Sequence, residues 1–85
     1  MSYKTLAKDI ADDIRSDMEK GIIEGREGMD RAISESAEGS EVSFKPLAAK
    51  NYLAENRVVA TGQNVLFAAC RHLTNRIYFE LDDLW

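Results

Sequence analysis

Residues 6–18 read LAKDIADDIRSDM. Leu6, Ile10, Ile14 and Met18 are spaced by four, with Tyr3, Ala7, Ala11 and Ile22 beside them. At about 100° per residue these positions fall within about 160° of a helix circumference, the width of an ordinary core-facing stripe. No strand-like alternation competes with that period. The stretch therefore predicts an amphipathic helix over residues 3–24, with Ser2 or Thr5 as its cap and Gly21 and Gly25 loosening its end.

The same period continues outward. Met29, Ala32, Ile33 and Ala37 predict a second helix over residues 27–38, with Gly39 as a natural C′ residue. Pro46 has no N–H and a fixed φ, so it must lie in the first turn of a third helix or just before it. Ser40 or Ser43 would be its N-cap, and Phe44, Leu47, Ala48 and Tyr52 would share a face. The alternation in EVSF, residues 41–44, is also compatible with a short strand. NRVVATGQN, residues 56–64, reads as a loop with Val58 and Val59 tucked onto the core.

A fourth helix over residues 63–81 would carry Leu66, Ala69, Cys70, Leu73 and Ile77 as its core stripe. Phe67, Tyr78, Leu81 and Trp85 form a second apolar edge. A helix apolar on two sides packs against two neighbours or against another copy, so Tyr78, Leu81 and Trp85 are a candidate oligomer interface and a homodimer is possible. The expected fold is all-α, a compact bundle of three to four helices in a single domain spanning residues 1–85.

Charge is unevenly spread. The net charge is −4, from 15 acids against 11 bases. Residues 1–41 sum to −5, residues 42–79 to +4, and residues 80–85 to −3. A net acidic chain lacks the basic footprint of a general DNA or RNA binder. A single cysteine, Cys70, excludes an intrachain disulfide and fits a reducing cytoplasm. The N-terminus has no apolar signal-peptide core, and no run is long enough to span a membrane.

Catalytic chemistry is not legible. His72 and Cys70 are the sole residues of their kinds and would point about 200° apart on a helix, so they cannot share a metal. They are expected at the core margin and in the core, respectively. EGREG, residues 24–28, has glycines but sets acids beside them, which would repel a phosphate. No nucleophile, base and orienting group are recognisable together. The expectation is a non-enzyme without metal or cofactor.

The acids of the first helix carry more information. Asp9, Asp13 and Asp17 stand at about 0°, 40° and 80°, each about 6 Å further along the axis. Lys4, Lys8 and Arg15 gather on the opposite flank, where Asp12 and Glu19 can pair with Lys8 and Arg15. Like charges four residues apart cost about 0.2–0.5 kcal/mol per pair, and here that cost is incurred twice. One explanation is a solvated face screened by salt. The other is a row of negative charge that docks on a basic surface. Glu24, Glu35 and Glu38, with Asp30 and Glu41, could extend the row if the second helix packs alongside.

Residues 3–23 resemble the first helix of GntR-type winged-helix repressors, but no recognition-helix signature follows. A second resemblance covers more of the chain. Residues 29–56 contain Asp30, Ala32, Ile33, Ala37, Glu38 and Phe44 in an acidic-helix, Ala-Ile-x-x-x-Ala-acid, aromatic order. Residues 64–85 add Arg76, Ile77 and Tyr78 and close on Leu84 and Trp85. This pattern is similar to small phage-encoded anti-defence proteins of the Ocr anti-restriction type. The resemblance implies a helical, often dimeric protein that occupies the DNA site of a host defence enzyme. The modest charge and the lack of a long acidic tail depart from that type. They point to a smaller inhibitor, such as an anti-CRISPR protein, covering one basic patch.

The expectation is thus an inhibitor of a host protein or nucleoprotein defence complex, acting in the bacterial cytoplasm without direct nucleic-acid or membrane contact. Asp9, Asp13, Asp17, Glu24, Glu35 and Glu38 are its candidate partner-binding residues. The alternatives are a homo-oligomeric structural or regulatory protein, and a DNA-binding regulator using Lys45, Lys50, Arg57, Arg71 and Arg76.

Overall fold

A computed structural model describes residues 5–39 and 45–84. Within them lie α1 (Leu6–Glu19), α2 (Gly25–Gly39), α3 (Pro46–Glu55) and α4 (Val65–Glu80), with 3-10 turns at Gly62–Asn64 and Asp82–Leu84. The fold is the expected all-α bundle. Helix α4 is its spine, packing against α1, α2 and α3, while α1 also packs against α2. Ser2, Tyr3, Lys4, Ser40, Glu41, Ser43, Phe44 and Trp85 lie outside the described residues, and so does the EVSF segment.

The core is one cluster. Helix α1 contributes Leu6, Ala7, Ala11 and Ile14, and α2 contributes Met29 and Ile33. Helix α3 adds Ala49, Tyr52 and Leu53. From α4 onward, Val65, Ala69, Leu73, Ile77 and Leu81 make a ladder at a spacing of four, all at most 5% exposed. A helix that touches three neighbours needs this long, gently winding stripe.

Several positions depart from the sequence reading. Ile22 is 69% exposed because α1 ends before it. Gly21, at φ 75°, is the C′ residue of a Schellman turn, in which Gly21 N–H donates to the Met18 carbonyl and Ile22 N–H to that of Asp17. On α3, Leu47 is 70% exposed. It stands about 200° round the helix from buried Ala49. The α3 N-cap is Lys45, because Pro46 occupies the first helical position and holds the preceding residue extended. Thr5 sits at the N-cap position of α1 without a side-chain capping bond.

Val58 packs on the core, whereas Val59 is 92% exposed. Helix α3 also ends in a Schellman turn, with Arg57 at φ 59° donating to the Ala54 carbonyl and Val58 N–H donating to that of Leu53. That turn points Val58 inward and its neighbour outward. Arg57 holds a left-handed conformation that glycine would adopt without strain.

On α4 the stripe is rotated from expectation. Leu66 leaves the core for the exposed surface and Cys70 for the core margin, and Val65 takes the inward position. Leu81, expected at an oligomer interface, is 1% exposed and belongs to the core. Tyr78 is half-buried and its hydroxyl donates to Asp30 Oδ1 at 2.8 Å, stapling α4 to α2.

Candidate functional site

Helix α2 separates two grooves of different chemistry. The first lies between α1 and α2 and measures about 430 Å3. Ile10, Ile14, Ile23 and Ala32 line it together with Asp13, Asp17 and Glu35. The period of α1 explains half of this arrangement, because Ile10 and Ile14 face inward and place Asp13 and Asp17 on the adjoining flank. The packing of α2 against α1 explains the rest, bringing Glu35 to the opposite bank. None of Asp13, Asp17 and Glu35 makes an ion pair with another described residue.

Arg15 stands on the opposite flank of α1 and is held there by other partners. Its guanidinium donates to the Glu80 carbonyl at 2.9 Å and to Asp83 Oδ1 at 2.6 Å, and Asp12 lies 3.5 Å from its other terminal nitrogen. The expected pairing with Glu19 does not form. The acidic C-terminal turn therefore consumes Arg15 and ties α1 to the end of α4. The acidic row keeps its charge.

The six candidate acids are divided by the packing. Asp13, Asp17 and Glu35 meet in one groove. Glu35 also lines an adjoining hollow with Glu24, Glu27 and Arg31, where exposed Ile22 stands. Asp9 is exposed in the first turn of α1, where it favours the positive helix end and lies 3.5 Å from the Thr5 hydroxyl. Glu38 faces the other side of α2 and leaves the row. Asp30 is committed to Tyr78 and lies 3.7 Å from Arg26.

The second groove, between α2 and α4, measures about 580 Å3 and is lined mainly by apolar surface. Ala37 and Glu38 of α2 and Leu66, Phe67, Cys70 and Arg71 of α4 line it. Phe67 is 67% exposed. Burial, and then the negative charge of Glu38, push the Cys70 thiol above its ordinary range. That leaves less thiolate and lower reactivity at neutral pH. Cys70 is thus a groove wall and not the core residue that periodicity implied.

One polar contact joins α3 to α4. His72 Nδ1 lies 3.1 Å from the Tyr52 hydroxyl, and the rings meet edge-on at 5.4 Å between centroids. Burial, opposed in part by Arg76, pushes the Tyr52 hydroxyl up to about 12. Burial and then the Arg76 charge lower His72 below its usual value. His72 is at the core margin as expected, engaged with Tyr52. Among the described residues, no three His, Cys, Asp or Glu side chains cluster to hold a metal, and no helix is long and apolar enough to cross a membrane.

Lys45, Lys50 and Arg57 are exposed along α3 and at its two ends, and Arg71 is exposed on α4. Arg76 is turned to Glu80 at 3.5 Å and stacks 4.9 Å over the Phe79 ring. Sequence reasoning missed the apolar lining of the acidic groove from Ile23 and the exposure of Phe67. A helical wheel drawn for each helix alone carries no information on either. No family model, characterised protein or solved structure matches this chain.

Proposed function

We propose that this chain is a non-enzymatic, phage-type inhibitor of a bacterial defence system, anti-restriction or anti-CRISPR, acting in the cytoplasm of the host. It would occupy a basic DNA-recognition surface of a host nuclease or its complex. The observation that carries the proposal is the groove between α1 and α2, where Asp13, Asp17 and Glu35 surround an apolar lining. A purely solvated acidic face needs no such lining. A recognition surface benefits from both parts, since charge steers the encounter and sets specificity while apolar contact slows dissociation. Glu24 and Ile22 extend the same surface along the adjoining hollow. Asp9 lengthens the row toward the start of α1.

The test is functional and direct. The chain is expressed in bacteria carrying a restriction or a CRISPR system and challenged with a targeted phage. Plating efficiency should rise with the wild-type chain and not with the Asp13→Lys, Asp17→Lys double variant. Binding to the purified defence complex should weaken steeply with added salt. A doubly reversed variant that protects and binds as well as wild type sinks the proposal.

A further inference from the structure

We infer that the apolar groove between α2 and α4 is a homodimer interface, occupied by the same groove of a second copy. A groove alone does not name its occupant; this one carries both halves of a self-complementary contact. Phe67 projects from one bank as an exposed aromatic knob. Ser34 and Ala37 line the α2 bank of the same groove as small side chains that leave room for a ring.

The charges on the rims are arranged to match. Glu38 stands on the α2 bank and Arg71 on the α4 bank. Neither has an ion-pair partner among the described residues. A two-fold axis running along the groove sets the α2 bank of each copy against the α4 bank of the other. Glu38 then faces Arg71 twice, and each Phe67 lies over the small residues opposite. An acidic partner would meet Glu38 and a basic partner would meet Arg71, whereas a second copy satisfies both. This surface lies on the opposite side of α2 from the acidic groove, so the dimer would present two acidic faces outward. It also replaces the earlier candidate interface, from which burial removes Leu81 and the bond to Asp30 engages Tyr78.

Sedimentation velocity from low micromolar to near-millimolar concentration tests the inference, with circular dichroism to verify that each variant is folded. Wild type should pass from monomer to dimer as concentration rises. Phe67→Ser should remain monomeric and helical. Glu38→Arg and Arg71→Glu should each weaken dimerisation about tenfold, because every substitution is counted twice across the axis. The combination Glu38→Arg with Arg71→Glu should recover most of the wild-type affinity. The inference is overturned by a wild-type chain that is monomeric throughout, by a dimer that survives Phe67→Ser, or by a double variant no better than the singles. Each outcome is independent of the acidic-groove proposal, whose residues these variants leave untouched.

Discussion

The two sides of α2 differ in how they treat the same problem. Facing α1, the helix leaves an apolar strip only partly covered and lines it with carboxylates that make no ion pair with another described residue. Facing α4, it leaves a more apolar groove with one acid and one base on its rims. A thin bundle of this size cannot cover every apolar surface it generates. What distinguishes the two remnants is charge. By its charge the α1 side would repel a second copy of itself and suit the basic partner proposed for it. The α4 side carries no such net preference and suits a copy of itself.

The comparison can first be broken by attacking the spine common to both grooves. Leu73 is fully buried on α4, and Leu73→Ala should destabilise the fold by about 2–5 kcal/mol in a denaturant titration. Both proposed binding activities should then weaken together through loss of folded protein. The Asp13→Lys, Asp17→Lys pair separates the two sides. It should weaken partner binding about 100-fold, near 2.7 kcal/mol, in a competition assay, and leave self-association unchanged.

A smaller change touches neither groove. Arg57→Gly relieves the left-handed strain at the end of α3 and should raise stability by about 1 kcal/mol, with both activities retained. The smallest effect concerns pH. His72 has a lowered folded-state pKa, so its contribution to stability is present above its unfolded value of about 6.5 and declines as pH falls below that value. Wild type should therefore lose slightly more thermal stability between neutral and mildly acidic pH than His72→Gln does. Equal losses would show that burial and the Arg76 charge do not favour the neutral ring.

Much of the architecture was legible because it depends on local period. Leu6, Ile14, Met29, Ile33, Leu73 and Ile77 all lie where a 3.6-residue repeat puts them. The failures have physical causes of two kinds. Ile22 and Val59 were misplaced by helix ends, where Gly21 and Arg57 redirect the chain and periodicity stops applying. Leu47, Leu66 and Cys70 were misplaced by rotation. A helix of mixed composition offers more than one stripe, and its neighbours select which one is buried. The candidate site was legible in part. Asp13 and Asp17 could be seen as one flank of one helix, but their meeting with Glu35, and the loss of Glu38 to the other side of α2, depend on how two helices lie together.

By itself the sequence determined an all-α bundle of three to four helices, the inward faces of α1 and α2, the place of Pro46 near the start of α3 and an acidic row along α1. These follow from residue spacing, a fixed proline φ and like charges repeating every turn, all of which act within one segment. Tertiary structure alone decided that Arg15 spends its charge on Asp83, that Leu81 is core, and that Phe67 stands out beside a groove. Those outcomes join residues from separate segments of the chain. No local period encodes them, because they arise only when α4 has been surrounded on three sides and the remaining surface is what the other helices left uncovered.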